Sequence, residues 1–485
     1  MPQKTVVIGA GPVGALAAIY AAKRGHEVEV YELRSDLRDP STTPLNFTKS
    51  INLAVSHRGI SAIEGADPGL AHGIIRKTLP MYGRMIHGKL NGSFTEASQA
   101  YDVNGRAIYA ADRGSLNKDL LDYLENMPNV RIFFDYKLTG ADFRRRKAWV
   151  ELRKTDGGPS PHPVRRAAEI EISFDLMIGA DGAYSAVRFH MMKFSRMFYQ
   201  QEYIETLWCE FHMSPGVSKN KKSGKDSFKI SPNHLHIWPA GNFMFIAIPD
   251  HDKSFTCTLF MPQQYFNEID ADPGSLVSFF DRYFPGVAGD LIPEDDLRRQ
   301  YKENAHLPLI SIKCSPHHFG SSAVIIGDAA HAMVPFYGQG MNAGLEDVQT
   351  LFKILDKHVD SQKETTTAAR AQALQEYTDF RCPDAHAIND LAMGNYNEMA
   401  SAVRSPLYLW RKKIEEQLSV WMPSLEWATQ YSRVSFSSYR YSEVVKSAER
   451  QGRVLTVWMS ILGGSTVVTA AALMGVWILG RKKIS

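Results

Sequence analysis

The chain opens with an unbroken apolar run, Val6–Ile8, then glycines, then a mostly apolar helical stretch ending near Lys23, then a second short run, Val28–Tyr31. Strand, turn, helix and strand in that order predict a βαβ unit. A helical pattern returns over Leu116–Glu125, followed by a strand over Val130–Phe134, and positions 145–180 read as short strands around the Gly/Pro-rich turn at 157–163. Between 200 and 305 the texture changes, and alternating runs such as Leu235–Trp238, Phe243–Ile248 and Phe255–Phe260 predict an antiparallel sheet, with the polar stretch Ser218–Ser227 as a hairpin tip. After Ser321 the α/β texture resumes, and from Glu346 to about Arg450 the pattern is largely helical, with no internal repeat. The expected architecture is therefore α/β: a domain over 1–195 and 306–360, with insertions near 80–112, interrupted by a sheet domain over 196–305 and capped by helices over 361–452.

The last stretch stands apart. No charged residue occurs from Val454 to Gly480, and Arg453 and Arg481-Lys482-Lys483 bracket the segment. A helix of that length spans about 40 Å, more than the roughly 30 Å hydrocarbon core of a bilayer requires. Buried core helices rarely run so long without charge, so 453–485 is expected to be a single transmembrane tail anchor. The N-terminus runs straight into the first strand, and no signal peptide is expected.

A length of 485 residues exceeds one hydrophobic core and suits two or three packed sub-domains. A formal charge of +3 gives no support to a nucleic-acid partner, which requires a clustered basic face. The four cysteines, at 209, 257, 314 and 382, form no Cys-x-x-Cys pair, which argues against a disulfide framework or a dithiol centre. His234 and His236 share one strand face and His317 and His318 are neighbours, but neither pair has a third ligand nearby, so no metal is expected.

Chemistry concentrates at three turns. Gly9-Ala10-Gly11-Pro12-Val13-Gly14 is a complete G-x-G-x-x-G between strand and helix. Gly9 allows the tight turn, Gly11 lets the backbone approach a pyrophosphate, and Gly14 lets helix and strand pack closely. The helix start supplies free N–H groups and the positive end of the dipole. Glu32 follows eighteen residues after Gly14, placed to accept from ribose hydroxyls and to repel a 2′-phosphate, so FAD or NAD is expected and not NADP at this site. The second turn, Gly327-Asp328, ends a strand over Ala323–Ile326 and leads into Gly338-Gln339-Gly340-Met341-Asn342, which opens a helix. Asp328 can accept from a ribityl chain, and a helix N-terminus there would stabilise an anionic reduced flavin, which favours FAD. The third turn runs Gly179-Ala180-Asp181-Gly182, with Arg188 close behind. No second glycine fingerprint exists to hold a nicotinamide nucleotide permanently.

These three turns, in this order, resemble those of the flavin-dependent aromatic hydroxylases of the para-hydroxybenzoate hydroxylase type. Further stretches are similar to the branch of that family that hydroxylates L-kynurenine: Ser50–Ala54, Arg84–His87, Leu116–Leu121, His234–Pro239, Lys253–Pro262, Gly327–Gly344 and Asn395–Met399. The resemblance covers nearly the whole chain and implies a Rossmann-like FAD-binding domain. Beside the glycines and Gly340, it implies FAD contacts at Val13, Tyr31, Glu32, Leu33, Arg34, Ala54, Arg113, Leu138, Asp181, Asp328, Met341 and Asn342. It implies substrate contacts at Arg84, Tyr101, Asn395 and Tyr431, with Glu398 one helical turn from Asn395, and it places Arg84 and Tyr101 around the substrate carboxylate.

The implied reaction uses NADPH and O2 as co-substrates and a flavin C4a-hydroperoxide as oxygen donor, in tryptophan catabolism and NAD biosynthesis. The ring amine of the substrate activates the ortho carbon, so no catalytic base is named. The apolar Pro335-Phe336-Tyr337 turn is a candidate wall against water. The implied location is the mitochondrial outer membrane, with the catalytic part in the cytosol. Rival readings are another aromatic hydroxylase, a flavin halogenase, or a non-redox binding protein on a flavoprotein-like fold. The halogenases' tryptophan motif and catalytic lysine are not found here, and a non-redox protein has no reason to keep Asp328 and the Gly338–Asn342 helix start.

Overall fold

The computed structural model describes residues 2–41, 52–90, 93–153, 168–217, 226–358, 366–400, 405–421 and 427–455. The predicted βαβ unit is present as Lys4–Ile8, the helix Pro12–Lys23 and Glu27–Tyr31. These strands lie in a six-stranded sheet whose order runs His318–Phe319, Ala323–Ile325, Leu176–Gly179, Lys4–Ile8, Glu27–Tyr31, Val130–Phe133. All pairs are parallel except the first. Its four inner strands are buried on both faces, which explains why they read as apolar runs with little alternation. The strand that brings in Gly327 thus lies two places from the strand that brings in Gly9, although more than 300 residues separate them in sequence.

The second sheet has seven strands, in the order Leu307–Ser315, Phe198–Met213, Phe255–Pro262, Met244–Pro249, His234–Pro239, Gly83–Leu90, Ser93–Ala100. The sheet domain is therefore larger than 196–305. The hairpin at 83–100 enters it by a parallel pairing of His234–Ile237 with Gly83–Ile86. Leu307–Ser315, expected in the first domain, instead pairs antiparallel along Phe198–Met213. A second correction concerns 263–303, where the helices Gln263–Ala271, Leu276–Tyr283 and Glu294–Glu303 occupy part of the span expected as a sheet domain.

Period-two alternation explains why those helices exist. Trp238, Phe245 and Leu259 point to one face, where they pack with Phe266, Phe280 and Leu297 of the three helices. Ile237, Met244 and Phe260 point to the other, where they pack with Phe336, Tyr337, Ile388, Val434 and Tyr441. A sheet apolar on both faces needs a layer on each side. The second face is covered by the turn after Gly327 and by C-terminal helices, and the candidate site lies on this side.

The helical region is confirmed as Thr367–Ala400, Pro406–Trp421, Gln430–Phe436 and helical backbone over 441–455. The expected membrane anchor lies outside the described residues from 456 onward, and among the described residues no helix is long and apolar enough to cross a membrane. Most of the predicted hairpin tip also lies outside them, while its flanks Gly216–Val217 and Asp226–Ser227 pair antiparallel.

Candidate functional site

The first glycine turn behaves as its spacing requires. Gly9 sits at φ +100°, and a Cβ there would meet the Ala180 carbonyl oxygen at 2.4 Å. A Cβ on Gly14 would lie 1.9 Å from the Gly9 oxygen, so neither position admits a side chain. Gly11 differs: a Cβ there would meet nothing within 4 Å, so the open space above it is available to a ligand rather than filled by protein. Glu32 closes the turn, accepting from the Ala10 N–H at 2.7 Å and the Arg34 N–H at 2.9 Å.

The other two turns converge on it. Gly327, at φ +58°, presents the exposed Asp328, while Val13 packs against both Gly327 and Gly344. Arg188 staples the Asp181 turn to the Asp328 turn by donating to the carbonyls of Ala183 and Ala329, each at 2.6 Å. The helices Pro12–Lys23 and Gly340–Lys357 both start without a side-chain cap, so their first N–H groups remain available to an anion or a carbonyl. Arg34, Leu33 and Arg113 are exposed, and Met341 is half-buried. Space over Gly11, two uncapped helix starts and a free-standing Asp328 fit an FAD.

Several predicted contacts are spent inside the protein. Tyr31 stacks on Phe133 at 4.8 Å and donates its hydroxyl to Glu29, and Leu138 is buried in the same core cluster. Asp181 caps the helix Ala186–Met191, accepting from Ser185 Oγ at 2.5 Å and from the N–H groups of Ala186 and Val187. Asn342 is fully buried; its amide donates to the carbonyls of Ala54 and Gly338 and accepts from the Ser56 N–H. At these four positions the side chain is held by the protein itself and shapes the groove.

Behind the second turn lies a chain of buried charge that no motif announced. Asp347 Oδ2 accepts from the Gly327 N–H at 2.8 Å and faces His331 Nε2 at 2.6 Å, and its other oxygen accepts from Arg381 Nε. Arg381 also pairs with Glu346 at 2.9 Å, and Glu346 pairs in turn with Arg58 at 2.5 Å. Arg58 donates to the carbonyls of Val434 and Tyr439, linking the flavin turn to the C-terminal helices.

Four of the five predicted substrate residues meet at one cavity of about 250 Å³, lined by Arg84, Tyr101, Glu398 and Tyr431 together with Tyr337 and residues of the C-terminal helices. Arg84, only 6% exposed, donates to Glu398 at 2.9 Å, and its guanidinium lies 4.8 Å from the centre of the Tyr431 ring. Tyr431 stacks between Tyr101 at 4.9 Å and Tyr337 at 5.7 Å. Burial raises the hydroxyls of all three tyrosines above their ordinary range, which keeps them neutral donors at neutral pH. The Tyr101 hydroxyl is buried beside Tyr431 and Arg84 but forms no well-aligned hydrogen bond with either. Such a group is costly to bury unless a ligand supplies the acceptor.

Asn395 is the exception. It is not among the lining residues, and it donates to the Phe336 carbonyl at 2.6 Å, fixing the Pro335–Tyr337 turn from behind. That turn supplies the expected apolar wall, with Phe336 packed on Phe260 and Tyr396. Sequence reasoning missed Arg411, Lys412 and Glu415, which also line the cavity. They sit in the run Arg411-Lys412-Lys413-Ile414-Glu415-Glu416, which carries the pattern of a solvated helix face and no other signal.

The comparisons agree with this geometry. The family described as FAD binding domain matches residues 3–392. A curated kynurenine 3-monooxygenase of Aspergillus clavatus is 59% identical over 479 residues, 98% of this chain and 91% of that protein. The protein of that name from Neurospora crassa is 59% identical over 486 residues, covering 98% and 93%. Among solved structures, 2-methyl-3-hydroxypyridine-5-carboxylic acid oxygenase aligns with a TM-score of 0.60 at 17% identity, over 84% of this chain and 95% of that one, which shows the shared fold. With the glycine turn, the Asp328 turn and the aromatic cavity in place, the chain belongs to the kynurenine 3-monooxygenase family of FAD-dependent aromatic hydroxylases.

Proposed function

We propose that this chain hydroxylates L-kynurenine to 3-hydroxykynurenine, consuming NADPH and O2 with FAD as its bound cofactor. The observation that carries the reading is the convergence of Arg84, Glu398 and the buried Tyr101 hydroxyl on a cavity walled by stacked tyrosines. An amino-acid end needs a cation for its carboxylate and an anion for its ammonium, and an aromatic ring needs flat apolar walls. FAD, when bound, would supply the redox chemistry that joins NADPH and O2 and delivers an electrophilic oxygen atom.

The protein's own part is to position and to exclude. Arg84 grips the substrate carboxylate with a planar fork, and Tyr101 donates beside it. Glu398, half-buried, accepts from the ammonium. Tyr337 and Phe336 close the apolar side and keep water from the reacting ring. Gly9, Gly11 and Glu32 would hold the adenosine and pyrophosphate end, and Asp328 and the start of helix Gly340–Lys357 the flavin end. No side chain is assigned as a base, because the ring amine of the substrate activates the carbon attacked.

The test is NADPH oxidation with and without L-kynurenine, with identification of the product. Oxidation without kynurenine dependence, or a product other than the 3-hydroxy compound, overturns the assignment. The uncharged segment Val454–Gly480 with its basic flanks supports attachment to a membrane through the C-terminus. Moderate hydrophobicity and the terminal Arg-Lys-Lys favour the mitochondrial outer membrane, with the catalytic part in the cytosol.

A further inference from the structure

We propose that Lys412 is a specificity-determining residue of the substrate site: a second cation, carried on the C-terminal helix Pro406–Trp421, that recognises the substrate carboxylate together with Arg84. The inference rests on the reading of the cavity as the binding site of an amino-acid substrate.

Lys412 lines the same cavity as Arg84, Tyr101 and Glu398. Its side chain is 22% exposed, and its ammonium donates at 2.8 Å to the carbonyl of Ala100, the residue before Tyr101. Glu416, one turn along the helix, stands 3.7 Å away. An ammonium has three N–H groups, so one remains beyond these two partners. Arg411 is less suited to the task, being 56% exposed and engaged by Glu415 at 3.0 Å.

The charges around Lys412 point the same way. The cavity lining holds three cations, Arg84, Arg411 and Lys412, and two carboxylates, Glu398 and Glu415, with Glu416 behind Lys412 as a third. Burial lowers the Lys412 amine below its ordinary range and Arg84 adds to the effect, while Glu416 and Glu398 oppose it without prevailing. The protein's own carboxylates therefore do not offset the burial of this cation beside Arg84. A ligand carboxylate does so directly.

A bland role competes with this one, in which Lys412 only ties its helix to the Ala100–Tyr101 strand end. Lys412→Gln separates the two, because an amide can still donate to the Ala100 carbonyl but carries no charge. The experiment titrates the full-length, FAD-loaded enzyme with L-kynurenine and with its decarboxylated amine analogue, reading Kd from the change in flavin absorbance. Wild type, Lys412→Gln, Lys412→Met and Lys412→Arg are compared, with Arg84→Met as reference. Lys412→Gln and Lys412→Met should weaken L-kynurenine by about 10-fold, the loss of roughly one charge-assisted hydrogen bond, and change the decarboxylated analogue by less than about 2-fold. Lys412→Arg should restore most of the discrimination. Equal weakening of both ligands, or no weakening of either, overturns the proposal. If Lys412→Met fails to fold, Lys412→Gln decides alone. If Arg84→Met loses carboxylate discrimination while the Lys412 variants keep it, this inference alone falls. If Arg84→Met also keeps it, the reading of the cavity falls with it.

Discussion

Replacing Asp347 with Asn tests whether the buried charges behind the second turn hold the flavin site together. The carboxylate is fully buried and takes three donors: the Gly327 N–H, His331 Nε2 and Arg381 Nε. Asparagine offers one acceptor oxygen in place of two, and its NH2 must face one of those donors. Arg381 keeps Glu346 and the Ala343 carbonyl but loses a charge partner. Removing one member of a buried pair costs about 3–5 kcal/mol, because the other charge stays behind. Against a typical total stability of about 5–15 kcal/mol, that is a large fraction. Urea unfolding followed by tryptophan fluorescence gives the loss, and absorbance near 450 nm after dialysis gives retained FAD. Asp356→Asn is the control: Asp356 pairs with Arg24 at 2.6 Å but is 49% exposed, and such a pair contributes about 0–1 kcal/mol.

The pH dependence has a definite sign. Burial alone would raise the Asp347 carboxyl, but His331, Arg381 and the Gly327 N–H outweigh it and hold the folded-state value below the ordinary range. A depressed carboxylate stabilises the folded state above its unfolded pKa, about 3.9, and loses that contribution as pH falls through the folded value. The gap between wild type and Asp347→Asn should narrow as pH falls below about 4. Equal losses in Asp347→Asn and Asp356→Asn, or unchanged FAD retention with full stability, would refute the reasoning.

Arg84→Met should raise the L-kynurenine Kd at least about 100-fold with FAD still bound, since it removes the partner of a desolvated carboxylate. A variant that prefers L-kynurenine over its decarboxylated analogue by the wild-type margin would make Arg84 structural. Glu32→Ala and Asp328→Ala should each lower FAD affinity by about 10- to 150-fold, the worth of one charge-assisted hydrogen bond, as measured by flavin content after dialysis. Full flavin in both variants contradicts the assignment of these turns. A chain ending at Arg453 should leave the membrane fraction that holds the full chain; identical partition of both into the soluble fraction rules out the anchor.

The glycine turn was legible because its requirements are local. A βαβ pattern, a tight turn and a carboxylate at the end of the second strand are fixed by residues close in sequence, and Gly9, Gly11, Gly14 and Glu32 stand where the spacing put them. The Gly327–Asp328 turn was legible for the same reason. Sequence position also identified Arg84, Tyr101, Glu398 and Tyr431 through family resemblance, and the fold brings these four to one cavity. What no local pattern contained was direction. Tyr31, Leu138 and Asn342 sit in the right segments, yet whether each side chain points to the groove or into the core depends on strands and helices from elsewhere in the chain. The helices over 263–303 were missed because the alternating strands before them set the expectation, and the need for a covering layer appears only once the sheet shows apolar residues on both faces. Lys412 and Asp347 mark the limit most clearly. One lies in a run of charges that reads as solvated surface, the other inside a helix, and only tertiary packing drew Lys412 partly out of water near Arg84 and buried Asp347 beside Arg381. Charge acquires a role from its partners and its exposure to water, and for these residues both were set by contacts between segments distant in sequence.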